Sequence, residues 1–160
     1  MTEERIHKLC DLYNIQDYTI NNDMSIDVDN DVIISELELV YIPLKFNKVS
    51  GDFNCSNNNL ITLKNTPTII GEDFDCYDNK IRTFKYFPKE IYSGFVGMRF
   101  NPINELWQRF YDLEYIDYFN ELDIIQNYGK TVILDRLNYF LQDLDKPEIK
   151  ENSLKNYNIK

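Results

Sequence analysis

The sequence predicts an α+β protein built around a short parallel β-solenoid of about three and a half coils, with a capping helix and a hairpin before it and a helical region after it. Two segments, GDFNCSNNNLITLKNTPTIIG and EDFDCYDNKIRTFKYFPKEIY, superpose position by position at an offset of 21 residues. Helical spacing of apolar residues occurs only outside these repeats. The chain is therefore predicted to be one structural domain in four parts: an N-terminal helix (1–16), a hairpin plus repeat array (17–106), a helical C-terminal region (107–147) and a polar tail (148–160).

The N-terminal part is predicted to be a helix followed by a hairpin. Ile6, Leu9, Cys10 and Tyr13 lie at helical spacing, and Thr2 is a suitable N-cap, which predicts a helix over roughly residues 3–13. The segment YTINNDMSIDVDNDVII then alternates apolar and polar residues about a polar turn, as a hairpin does. We expect the helix to cap the first coil.

Each repeat is predicted to contain a short strand, a turn and an irregular return. The inward positions of the strand are taken by an aromatic residue and a cysteine, and an asparagine follows at the bend, where its amide can satisfy backbone groups. The matched pairs are Phe53 with Phe74, Cys55 with Cys76, Asn58 with Asn79, and Leu60 with Ile81. One more step places Phe95 in the same buried column, with one residue inserted before Asn101.

Aromatic and aliphatic residues at helical spacing dominate the segment after the repeats. Trp107, Phe110 and Tyr111 begin one such series, and a later series from Ile133 to Leu144 ends before Pro147. Residues 148–160 are polar, and we expect them to be frayed.

The stretch from Tyr18 to about Trp107, with SGDFNCSNNNL, GEDFDCYDNKI and FNPINELW, resembles the leucine-rich-repeat-like proteins encoded by tailed phages. The likeness covers more than half of the chain, and the G-D-F-x-C-x-x-N core carries it. The chain departs from that pattern because it has few coils and because its first coil lacks the Cys and Asn of the repeat. The resemblance implies a fold and a phage origin, and it implies no particular activity.

Composition bounds the function. The net charge of -10 disfavours direct binding to phosphate backbones, which depends on Lys and Arg. Three cysteines at wide spacing with a single histidine predict free buried thiols rather than a disulfide framework or a zinc site. No apolar run is long enough to span a membrane, and the N-terminus lacks the pattern of a secretory signal, so a cytoplasmic location is expected.

The outward strand positions form the candidate binding surface, because repeat proteins commonly bind through that face. In register they stack Asp31, Asp52 and Asp73, then Ile33, Asn54, Asp75 and Val96, then Ser35, Ser56, Tyr77 and Met98. The alternative is a row of solvated strand charges. The aromatic run at Trp107 suits a protein interface or, at helical spacing, a core. The residues predicted to bind a partner are Asp52, Asn54, Asp73, Asp75, Tyr77, Met98 and Trp107.

Three other groups have a chemical interpretation beside a structural one. The spacing of Asp27, Asp29, Asp31 and Glu38 is that of a calcium loop, yet Val32 stands where such a loop needs glycine, which favours exposed hairpin carboxylates.

A basic cluster and a histidine–cysteine pair are the other two groups. The cluster of Lys80, Arg82, Lys85 and Lys89 suits an acidic partner or simple solvation. His7 and Cys10 are helical neighbours that suit a nucleophile pair or, more simply, a packed cysteine beside an exposed histidine.

These observations favour a non-catalytic module that binds one protein. The phage resemblance makes a host protein, bound and inhibited in the host cytoplasm, the expected partner. A virion or assembly component and an acidic mimic of nucleic acid are the alternatives. No enzyme activity, cofactor, metal, membrane or direct nucleic-acid contact is predicted.

Overall fold

The computed structural model describes all 160 residues and confirms the predicted α+β solenoid with helices at both ends. Helix α1 (Glu3–Leu12) comes first, and the Thr2 hydroxyl caps it by accepting a hydrogen bond from the Arg5 amide at 3.3 Å. Its apolar face buries Ile6, Leu9 and Cys10. Strands β1 (Tyr18–Ile20) and β2 (Ile26–Val28) then form the predicted antiparallel hairpin.

Each coil contributes two short strands rather than one. The strands that follow the hairpin are β3 (Val32–Ile33), β4 (Phe46–Val49), β5 (Phe53–Asn54), β6 (Ile69–Ile70), β7 (Phe74–Asp75), β8 (Glu90–Ile91) and β9 (Val96–Gly97). One sheet has the order β1-β2-β4-β6-β8 and the other β3-β5-β7-β9, with every pair after the hairpin parallel. The part of the repeat predicted to return irregularly therefore contains a strand.

The two sheets enclose columns of buried side chains. Phe53 stacks on Phe74 with ring centroids 6.3 Å apart, and Cys55 and Cys76 lie beside them, fully buried. Leu60, Ile81 and Ile103 form a further buried column, as predicted.

The predicted place of Phe95 in this core is wrong. Phe74 pairs with Val96, and Asp75 with Gly97, so the extra residue of the last unit lies before β9 rather than before the asparagine. Val96 and Met98 therefore face inward, and the Phe95 ring faces solvent with 61% of its surface exposed. A Cβ on Gly97 would lie 2.3 Å from the Asp75 carboxylate, which is why glycine suits the outward position there.

A buried ladder of asparagines links neighbouring coils. The Asn79 amide nitrogen donates to the carbonyls of Cys55 at 3.0 Å and Cys76 at 3.1 Å, while its oxygen accepts from the Leu60 amide at 2.8 Å. Asn58 and Asn101 make equivalent bonds one coil before and one coil after. The side chain at the bend thus bonds backbone groups that strand pairing leaves free.

The C-terminal region is helical but also contains a small sheet. Helix α2 (Asn104–Phe110), a 3-10 turn (Leu113–Tyr115) and helix α3 (Ile116–Glu121) precede a hairpin of β10 (Ile125–Gln126) and β11 (Thr131–Val132). Helix α4 (Leu134–Asp143) follows, and β12 (Asn158–Ile159) then pairs in parallel with β11. None of the four helices has the length and apolar character needed to cross a bilayer.

The expectation of a frayed tail is wrong. Ile149, Leu154 and Tyr157 are buried, and the Tyr157 hydroxyl donates to the Arg82 carbonyl at 2.9 Å. These three apolar anchors are widely spaced among polar residues, so they form no helical or strand pattern in the sequence. Tyr157 thus holds the tail to the repeats, and Ile149 holds it to α4 through two hydrogen bonds with the Asn138 amide.

Candidate partner-binding surface

The predicted aspartate column exists, and each carboxylate in it has a structural role. An oxygen of Asp31 accepts the backbone N–H of Asp52 at 2.9 Å, and Asp52 does the same for Asp73 at 2.9 Å. Asp73 continues the series by accepting the N–H of Phe95 at 2.6 Å. One oxygen of each carboxylate is thus used between coils, and the other is left to bind solvent or a partner.

The second and third columns begin as predicted and diverge at the last coil. The Asn54 oxygen accepts the N–H and the hydroxyl of Ser56, which is itself buried, and Asp75 accepts the N–H of Tyr77 at 2.9 Å. Both Asn54 and Asp75 are half-buried. Their local bonds hold the side chains in one orientation on the outer face.

Met98 and Trp107 are buried and cannot serve as the surface contacts that were predicted. Met98 is 1% exposed because the shifted register places it in the column of Cys76. Trp107 is 5% exposed and packs among Phe84, Phe87 and Phe110, with ring centroids 5.5 to 6.2 Å away. Of the two interpretations of the aromatic run, the structure therefore gives Trp107 a core position.

Two phenylalanines occupy the outer face instead: Phe95, which was predicted to be buried, and Phe100, for which no position was predicted. The Phe95 ring lies over Gly97, next to the Asp75 carboxylate. Phe100 is 62% exposed and meets Tyr77 edge to face at a centroid distance of 5.1 Å. The Arg99 guanidinium lies 5.7 Å from the Phe100 ring centre, a cation–π contact.

We define the acidic–aromatic surface as Asp73, Asp75, Tyr77, Phe95 and Phe100. The residues are linked by the contacts just described, and they lie at the last two coils on one face. Two exposed aromatic rings beside two carboxylates form a surface with both apolar area and negative charge, as protein interfaces often have.

The four carboxylates of the calcium-like spacing do not converge. Asp27 accepts hydrogen bonds from the side-chain amides of Asn21 at 3.1 Å and Asn47 at 2.7 Å, while Asp31 belongs to the aspartate column. No group of three or more His, Cys, Asp or Glu side chains is placed so that it could hold a metal ion.

The His7–Cys10 pair does not have the features of an activated nucleophile. The His7 Nδ1 lies 2.5 Å from the Tyr18 hydroxyl on the exposed side of α1, whereas Cys10 is fully buried. Burial raises the pKa of the Cys10 thiol, which favours the unreactive protonated form. Burial also raises the pKa of Cys55 and of Cys76.

The basic cluster divides into two parts. Lys89 pairs with Asp117 at 3.3 Å. Lys80, Arg82 and Lys85 instead line a groove between the return side of the coils and the β10–β11 hairpin. None of these three residues belongs to the acidic–aromatic surface.

Comparison of the chain with protein-family models, with curated proteins and with solved structures finds no match in any of the three. Function is therefore inferred from the surface geometry and the repeat pattern.

Proposed function

We propose that the chain is a non-catalytic module that binds another protein through the acidic–aromatic surface. The observation that carries this proposal is the exposure of Phe95 and Phe100 beside the carboxylates of Asp73 and Asp75. Aromatic side chains in such a setting supply much of the free energy of protein association, and the carboxylates select a partner with basic residues around an apolar centre.

The rigidity of this surface supports the same proposal. Asp73 and Asp75 are oriented by backbone N–H groups, and Phe100 contacts both Tyr77 and Arg99. Side chains that are ordered before binding lose less entropy on association. The resemblance to phage proteins adds that the partner is a host protein, which the module would bind and inhibit in the host cytoplasm.

The test is a pull-down from host lysate with the tagged protein, followed by mass spectrometry and titration calorimetry with the partner identified. Replacing Phe95 and Phe100 together by serine should weaken binding at least tenfold, since each ring contributes on the order of 1 to 2 kcal/mol at an interface core. Tyr41→Ser is the matched control, because Tyr41 is an aromatic residue that is 65% exposed and lies in the first coil, outside this surface. Equal affinity of the double variant and the control would contradict the proposal.

The aspartate column supports one second candidate, mimicry of nucleic acid. Asp31, Asp52 and Asp73 repeat a negative charge at each coil, as phosphates repeat along a strand. This function predicts salt-sensitive competition with DNA for a DNA-binding protein. Absence of competition at low salt would exclude it.

A further inference from the structure

A second candidate docking site lies between the repeats and the small C-terminal sheet. It is a groove of about 1040 Å³, lined by Ile61, Lys80, Arg82, Lys85, Ile125 and Tyr128. We call it the hairpin groove, because one wall is β10 with its following turn and the other is the return side of the second and third coils.

One strand edge in this groove has unpaired backbone groups. Ile125 faces Val132 across the hairpin, but the backbone of Val132 points the other way and its carbonyl accepts the N–H of Lys160 at 3.0 Å. The hairpin bonds run instead from Ile133 to Ile124, at 2.9 Å, and from Lys130 to Gln126. The N–H and C=O of Ile125 therefore point away from β11, where no other segment of the chain pairs with them.

The contacts of the small sheet show which way this free edge faces. At the β12 side of the small sheet, the Glu105 carboxylate accepts the N–H of Asn156 at 3.0 Å and so holds the segment before β12. In the middle, the Gly129 carbonyl accepts from Arg82 at 3.4 Å. The same Arg82 nitrogen donates to the Asn156 carbonyl at 2.6 Å. β10 is an edge strand in the order β10-β11-β12, and its residues line the groove together with Ile61, so the open edge of β10 borders the groove.

The groove is positively charged although the protein carries a net charge of -10. Lys80, Arg82 and Lys85 take part in none of the four salt bridges of the structure. The one acidic residue that lines the groove, Asp123, is paired with Arg136 at 2.9 Å. The uncompensated charge in the groove is therefore positive.

We propose that the hairpin groove binds an extended acidic peptide segment of a partner protein, which adds to the open edge of β10 as a fourth strand. The peptide backbone pairs with the N–H and C=O of Ile125, and its carboxylates reach Lys80 and Lys85. Ile61 and Ile125 supply the apolar contact for side chains between the carboxylates. This site is separate from the acidic–aromatic surface and does not depend on the function proposed for it.

The probe is a fluorescein-labelled ten-residue peptide of alternating glutamate and valine, titrated with the full chain by fluorescence anisotropy at low salt. Lys80→Glu with Lys85→Glu should weaken binding at least tenfold. Lys48→Glu with Lys64→Glu is the control of equal charge change, because both lysines are exposed and lie outside the groove, and it should weaken binding less than threefold.

Two altered peptides test whether binding depends on the charge of the peptide and on pairing through its backbone. The peptide with lysine in place of glutamate should fail to displace the labelled acidic peptide, since it opposes the charge of the groove. Methylation of the backbone nitrogens of the six central residues keeps the charge and removes the donors that a strand needs, so it should abolish binding. Binding of the methylated peptide at unchanged affinity would overturn strand addition, and no binding of the acidic peptide, or equal loss in the two lysine pairs, would overturn the site. Phe95→Ser should leave this binding unchanged.

Discussion

Replacing Asn79 by alanine tests whether the asparagine ladder holds neighbouring coils together. The substitution removes the only acceptor of the buried Leu60 N–H and three donor bonds, to the carbonyls of Cys55, Cys76 and, at 3.3 Å, Tyr77. Each carbonyl keeps one partner, because Asn58 also donates to Cys55, Asn101 to Cys76 and the Asn57 N–H to Tyr77. The variant therefore has one orphaned amide and three weakened acceptors.

The free energy of unfolding should fall by on the order of 3 to 4 kcal/mol. An unsatisfied buried N–H costs about 1 to 3 kcal/mol, and each of the lost bonds to a carbonyl contributes about 0.5 to 1.5 kcal/mol. Urea denaturation followed by circular dichroism measures the change, provided that the m-value stays constant.

The matched control is Asn59→Ala. Asn59 lies at the bend of the preceding coil, directly after the ladder residue Asn58, and the equivalent residue one coil later is Lys80. Its side chain makes no hydrogen bond, and its backbone N–H donates to the Leu39 carbonyl. This variant should lose less than about 0.5 kcal/mol. If Asn79→Ala were no less stable than Asn59→Ala at the same m-value, the ladder would not have the role assigned to it.

Three further outcomes are expected. Gly71→Ala should destabilise the fold by about 2 kcal/mol or more in the same urea assay, because its Cβ would lie 1.9 Å from a backbone carbonyl oxygen of the preceding coil; a loss below about 0.5 kcal/mol would contradict the close approach. The thiols of Cys55 and Cys76 should not react with iodoacetamide at about pH 8 in the native protein and should react fully in urea, since burial raises the pKa of both; native reaction at the denatured rate would refute this. Burial also raises the pKa of Tyr157, so its contribution to stability is complete below the ordinary tyrosine pKa of about 10 and is lost as the pH rises further. Tyr157→Phe should therefore lose less stability than the parent between about pH 10 and 12, and parallel stability curves would count against this account.

The register of the repeats was predictable from the sequence except at the last coil. There the spacing to the ladder asparagine indicates the correct register, whereas the match of two phenylalanines indicates a wrong one. Phe95 was aligned with Phe74 because both are phenylalanine. The spacing of the inward residue to the ladder asparagine points elsewhere, since Met98 precedes Asn101 by the same three positions that separate Cys76 from Asn79. Hydrogen bonds of the asparagine fix the register more firmly than the identity of an aromatic residue does.

The candidate surface was therefore predicted in part. Asp73, Asp75 and Tyr77 lie on the outer face as expected, because alternation along a strand follows directly from its geometry. Phe95 and Phe100 were missed because their exposure depends on that one-residue shift and on a bend after β9.

The C-terminal sheet and the packed tail were beyond what local patterns indicate. Strands of two residues have no measurable alternation, and β12 pairs with a strand 27 positions earlier in register, Thr131 with Asn158. Ile149, Leu154 and Tyr157 are buried only because the last coils and α4 offer them a surface. Such contacts depend on the assembled structure, and they produce no hydrophobic periodicity in the sequence.

The sharing of each carbonyl between two ladder asparagines has a consequence for how such a chain can change in length over generations. The middle coil bonds only to its two neighbours, and it does so at the same spacing on both sides, from Val32 through Phe53 to Phe74. An in-frame duplication of one such unit would reproduce both strand pairings, the aspartate column and the asparagine bonds without a new kind of contact. Unequal recombination between repeats is thus a direct route to longer relatives, which would carry a longer outer face between the same two ends.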